Sequence, residues 1–298
     1  MKKKSLLFLA VLLVAAGCAA FLFLRGDEKA LIVRKEDGIY VTAKTTRGLQ
    51  KAFLELDYDI AESLNGKNPV PRIFTTDIPK DFNREKFDQI RPALFTEILL
   101  PLILKANEEA EAERLTVARL IDDLPREQSL TELKRYAEKY RVSFKPERPD
   151  EMTRILIERT GTVPPGILLA MAAQDSGLAT DGYAREYNNL FRHRNWDGKG
   201  AEPEGPLRPG ETYKISVYPT LYDGIVDQIL HINTTNHLET FHVARRSYGN
   251  GPQFMGSRAV VGRFVNMPDR TLLYTDILDQ LLRQYEWNIF DRAVLSPK

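Results

Sequence analysis

Asp175 is the single ionisable side chain between Val163 and Gly177 (VPPGILLAMAAQDSG). Pro165 suits the first turn of a helix and Gly177 its end, so the spacing predicts a helix over Gly166–Ser176 with this carboxyl in the last turn. That is the unfavourable end. The last turn carries partial negative charge, which disfavours an ionised Asp by up to about 1 kcal/mol. Burial would raise its pKa further and keep it protonated near neutral pH. A protonated carboxylic acid beside a groove is what glycoside hydrolysis requires, because the leaving oxygen must take up a proton as its bond breaks. A solvated Asp that tolerates the helix end is the plainer reading. A second carboxylate, acting as base or charge stabiliser, would come from Asp181, Glu186 or Asp269, and the sequence does not choose among them.

Downstream, Tyr183, Tyr187, Phe191 and Trp196 alternate with Arg185, Asn188, Asn189, Arg192 and Arg194. Flat rings stack on apolar sugar faces while amides and guanidinium groups bind hydroxyl and acetamido oxygens. Tyr183, Asn188, Asn189, Phe191, Trp196 and the later Tyr218 are therefore the candidate substrate-binding residues. A core helix with a polar rim is the competing explanation. The histidines, His193, His231, His237 and His242, show no helical metal-site spacing and no HExxH, so neither a metal nor a cofactor is expected. No nucleophile elbow, P-loop or GxGxxG occurs.

The elements that must position these residues are mainly helical. Residues 26–46 hold two short β-prone runs around Glu36-Asp37-Gly38, which predict a small hairpin or spacer. From Arg47 to Arg141 the apolar spacing is helical, interrupted at Pro69–Pro71 and Pro79. Leu99–Leu104 is too short an apolar run to span a membrane and reads as a buried helix that Pro101 kinks or restarts. The second half reads as a separate unit, with helices over Met152–Arg159, Tyr222–Arg246 and Thr271–Trp287. An irregular Gly/Pro-rich loop over Asp197–Gly210 and a short strand at Tyr213–Tyr218 complete it. The divisions are 1–25, 26–46, 47–145 and 146–290.

Composition limits the rest. With 42 Lys+Arg against 41 Asp+Glu, the chain offers no basic surface of the kind nucleic acid needs. Its one Cys excludes a disulfide framework. That residue, Cys18, lies in an uncharged run from Leu6 to Leu24 behind Lys2, Lys3 and Lys4. The run reaches roughly 28 Å as a helix, enough to cross a hydrocarbon core. An uncleaved signal anchor, a lipoprotein acylated at Cys18 and a cleaved secretory signal all place the body on the exported side, in the cell envelope. Residues 1–25 carry four basic and no acidic groups, which leaves 38 against 41 in the body.

In combination, several motifs resemble the glucosaminidase family of bacterial peptidoglycan hydrolases, in its Bax-like branch. They are VPRIF (Val70–Phe74), LLPLILKANEE (Leu99–Glu109), VPPGILLAMAAQDSG, YAREYNNLF (Tyr183–Phe191), YPTLYDGI (Tyr218–Ile225) and HINTTNH (His231–His237), within roughly residues 45–290. The resemblance implies a lysozyme-like α-helical domain with a short β element, preceded by a helical accessory region. It also implies cofactor-free cleavage of peptidoglycan glycan strands after N-acetylglucosamine. The departures fall at the chemistry. Asp175 stands where the family has the Glu of ESG, Gly177-Leu178-Ala179 replaces Gly-Trp-Gly, and Arg192 replaces the Gly of NNLFG. Alignment puts Met267 on the family's catalytic Tyr, with Tyr248 the nearby alternative. Three functions remain open: a slow hydrolase, an inactive glycan-binding relative and a membrane-tethered envelope scaffold.

Overall fold

The computed structural model describes residues 29–63, 69–124, 126–145, 147–247, 256–264 and 273–298. The fold is mainly α. Strands β1 (Leu31–Lys35) and β2 (Gly38–Thr42) form the expected hairpin, with Val33 opposite Tyr40. β3 (Ile73–Thr75) joins β2 in parallel, with Phe74 opposite Tyr40. VPRIF thus supplies a strand inside the region expected to be helical. Its Ile73, Phe74 and Thr75 are all buried, as a strand covered on both faces requires. Helix α1 (Thr46–Glu55) follows β2, capped by Thr45, whose hydroxyl accepts from the Gly48 N–H at 3.1 Å.

Helix α2 (Arg91–Asp122) is the central pillar and runs unbroken through Pro101. A proline there removes the N–H that would serve the Glu97 carbonyl one turn earlier. The Tyr58 hydroxyl takes that place, donating to the Glu97 carbonyl at 3.0 Å. The helix therefore does not restart at Pro101, which corrects that half of the sequence expectation. Helices α3 (Glu127–Lys139) and α4 (Pro149–Arg159) pack on the far part of α2 around Val117, Leu133, Tyr136, Tyr140, Met152 and Leu156. The division drawn at 145/146 falls inside this cluster.

Helix α5 (Pro165–Ser176) is buried along nearly its whole length, with Gly177 as a left-handed cap at φ +60°. Its start is fixed by Asp291, whose Oδ1 accepts from the Gly166 N–H at 3.1 Å and the Ser257 hydroxyl at 2.6 Å. Gly166 is required there, because a Cβ would come within 2.8 Å of the Trp287 carbonyl. Trp287 in turn donates from its indole to Thr96 on α2 at 2.9 Å. Helix α6 (Gly182–Tyr187) leads to a two-stranded sheet of β4 (Arg194–Asn195) and β5 (Lys214–Ile215).

The expected helix over Tyr222–Arg246 is two helices, α7 (Leu221–Thr234) and α8 (Glu239–Ser247). The Thr234 and Thr235 hydroxyls both turn back on the His231 carbonyl, at 3.4 and 2.7 Å, and Thr235 is extended. Such back-bonding competes with helical hydrogen bonds and ends the first helix. Helix α7 starts with a reciprocal capping box between Thr220 and Asp223. Short α9 (Ser257–Val260) and α10 (Leu273–Gln284) complete the fold, with α10 lying against α5. One hydrophobic core runs from Val41 through α2, α5 and α7 to Leu295, joining the two expected halves.

Candidate active site

Asp175 sits in the last turn of α5 and is 4% exposed. The backbone after it takes three left-handed residues in succession, Gly177, Leu178 and Ala179, at φ +60°, +57° and +61°. For Leu178 and Ala179 this costs on the order of 1–2 kcal/mol each relative to right-handed geometry. Local hydrogen bonds hold the turn. The Leu178 N–H donates to the Ala173 carbonyl at 3.0 Å, the Ala179 N–H to Ser176 Oγ at 2.8 Å, and the Thr180 hydroxyl to the Gly177 carbonyl at 2.7 Å.

Tyr274 and Arg192 reach Asp175 from elsewhere in the chain. Tyr274, buried on α10, directs its hydroxyl at Asp175 Oδ2 at 3.5 Å, the outer limit of a hydrogen bond. Arg192 donates from Nε to the Asp175 carbonyl oxygen and pairs through Nη2 with Asp181 Oδ2 at 3.2 Å. Asp181 also caps α6, accepting from the Ala184 N–H at 2.8 Å. Burial raises the Asp181 pKa, opposed by the Ala184 hydrogen bond and the Arg192 charge. Among the candidate second carboxylates, Asp181 is therefore joined to Asp175 through Arg192. Glu186 is exposed and its ion pairs run to Lys80 at 2.6 Å and Arg185 at 4.0 Å. Asp269, Met267, Tyr248 and Cys18 lie outside the described residues.

The expected sugar-binding residues separate into different roles. Asn189 is fully buried. Its amide donates to the His193 and Ser216 carbonyls at 2.9 Å each, and its Oδ1 accepts from the His193 N–H. Asn188, left-handed at φ +54°, donates to Asp77 Oδ1 at 3.0 Å. Both amides hold the loop before β4, and neither is presented to a ligand in this arrangement. Phe191 belongs to the core. The Tyr218 hydroxyl donates to Asp227 Oδ2 at 2.5 Å, and burial with this carboxylate raises its pKa. The Tyr183 hydroxyl accepts from the Glu204 N–H at 2.6 Å, and its ring stacks on Tyr187 with centroids 6.4 Å apart.

Trp196 alone among the expected aromatics stands open, at 66% exposure, with its ring 6.2 Å from Tyr213. The Arg194 guanidinium lies 4.4 Å from the Tyr213 ring centre. Sequence reasoning missed both Tyr274 and Tyr213. Tyr274 falls four residues before Leu278 and eight before Leu282, all buried, so the stripe that marks the helix also carried the hydroxyl.

Among the described residues, no group of three or more His, Cys, Asp or Glu can hold a metal ion. Likewise, no described helix is long and apolar enough to cross a membrane, and the Leu6–Leu24 run lies outside the described residues. No family model matches the chain, and no solved structure matches it. Protein bax of Escherichia coli (strain K12) is 22% identical to it over 189 residues, covering 63% of this chain and 67% of that protein. The likeness supports a distant Bax-like relative.

Proposed function

We propose that this chain is an exported, membrane-tethered hydrolase of peptidoglycan glycan strands, of the β-N-acetylglucosaminidase type. The observation that carries the reading is the setting of Asp175: a buried carboxyl at a strained helix end, with the Tyr274 hydroxyl at 3.5 Å and Arg192 on its own carbonyl. The motif resemblance supplies the substrate class, and the distant likeness to Protein bax supports only that the chain is a Bax-like relative. Leu6–Leu24 would be the tether, and the body would act in the envelope on its exported side.

In the proposed reaction, protonated Asp175 gives its proton to the bridging glycosidic oxygen as the bond to the anomeric carbon breaks. Asp181, linked to Asp175 through Arg192, is the candidate for steadying the positive charge that develops on the sugar and for receiving a proton from the incoming water. Tyr274 fixes Oδ2. The Trp196–Tyr213 pair offers the exposed aromatic surface for a sugar face. Asp is one methylene shorter than Glu, which draws the acid back by roughly 1.5 Å. Displacements near 1 Å cost on the order of 10²-fold in rate, so turnover is expected to be slow.

Digestion of purified peptidoglycan by the full chain, with analysis of the muropeptides released, tests the reading. Asp175→Asn should abolish release and Asp175→Glu should raise it. Activity unchanged in Asp175→Asn would remove Asp175 as the acid. The near-sealed Asp175 and the internally bonded Asn188 and Asn189 favour a second reading, an inactive relative that binds glycan through Trp196. It is supported by retention on insoluble peptidoglycan when digestion yields no products.

A further inference from the structure

Arg192 touches three parts of the candidate site. Its Nε donates to the carbonyl oxygen of Asp175, its Nη2 lies 3.2 Å from Asp181 Oδ2, and its guanidinium carbon is 5.9 Å from the centre of the Tyr183 ring. The Asp175 carbonyl belongs to the last turn of α5, where no further helical N–H is available to it. The Ala179 N–H, which a longer helix would have sent there, goes to Ser176 Oγ. A cation on those terminal carbonyls offsets the negative end of the helix. Arg192 also holds a left-handed backbone at φ +56°, a conformation that glycine adopts without strain. Strain retained at such a place implies that the side chain has a use.

We infer that Arg192 is a positioning residue: anchored on Asp181 and laid toward the Tyr183 ring, it closes the C-terminal end of α5 and holds Asp175 against Tyr274. The inference rests on Asp175 as the reacting carboxyl. The charged and titratable groups that contacts among the described residues link to it include Tyr274 on α10 and Arg192, with Asp181 and then Glu204 beyond. Asp291 lies at the opposite end of α5.

The test uses the full chain with Arg192→Gln, Arg192→Lys and Arg192→Gly, each checked by thermal melting. Carbon-13 NMR follows the Asp175 carboxyl, assigned by its loss in Asp175→Asn. Removing the cation from the helix end should raise the Asp175 titration midpoint by about half a pH unit or more in the Gln and Gly variants. Lys should restore most of the wild-type value. Where muropeptides are released, the alkaline limb of the pH–rate profile should move up with the midpoint. At the same time kcat should fall about tenfold, with KM little changed. A midpoint unchanged in Arg192→Gln, or a Gly variant that behaves as wild type, would overturn the inference. Wild-type chain that releases no muropeptides would sink the hydrolase reading, while the carboxyl titration would still decide the role of Arg192.

Discussion

At the scale of single residues, the sequence exposed Asp175 because nothing else near it is charged. It could not expose the partners, since Tyr274 and Arg192 arrive from 99 and 17 positions away. Asn188 and Asn189 misled for a related reason. An amide in a polar aromatic stretch looks the same whether it will meet a sugar or a neighbouring carbonyl, and here the carbonyls of His193, Ser216 and Tyr218 take it. His242 was read as structural, and its setting has a measurable consequence. Its Nε2 lies 2.8 Å from the Ile232 carbonyl, and burial, reinforced by the Arg245 charge, pushes its pKa down to about 4. An unfolded His titrates near 6.5, so between these values the unfolded chain binds the extra proton and the folded chain does not. The stabilisation is complete above pH 6.5 and is lost as pH falls toward 4, with an upper bound of roughly 3 kcal/mol. Urea unfolding across that window should show the loss in wild type and a flatter profile in His242→Gln. Equal slopes would contradict the assignment.

At the scale of elements, helices with a single buried stripe were legible, and interruptions were not. The α7–α8 break depends on two threonine hydroxyls choosing one carbonyl, and the continuity of α2 depends on a tyrosine more than forty residues before Pro101. Neither is visible in local periodicity. The second case gives a quantitative expectation. Tyr58→Phe leaves the Glu97 carbonyl without the hydroxyl that replaces its missing helical donor, which should cost about 1–3 kcal/mol. Thermal melting should fall by roughly 2–4 °C per kcal/mol. In a Pro101→Ala background the helix regains its own N–H, so the same Tyr58→Phe change should cost clearly less. Equal costs in the two backgrounds would show that the proline and the tyrosine are not coupled.

At the scale of the whole molecule, the hairpin and the helical class followed from composition and pattern. What pattern could not show is how the core is shared. Val70 forms a parallel bridge with Leu295, Arg72 donates to the Ser296 carbonyl at 2.7 Å, and Leu295 is buried in the same cluster as Val41 and Phe74. Leu295→Ala should therefore cost about 2–3 kcal/mol and lower hydrogen-exchange protection at Ile39–Val41 as well as near residue 295. Unaltered protection in the hairpin would show the two regions to be independent. The same tie bears on how the protein comes into being. Arg72 and Ser296 stand 224 positions apart, so a chain delivered from its amino end, by ribosome or translocation pore, presents its first sheet long before the closing partner emerges. Closing so large a loop comes late in folding. Until that segment emerges, Val70 and Arg72 lack these partners, so the time of delivery sets the least time for which the newborn chain stays unclosed there.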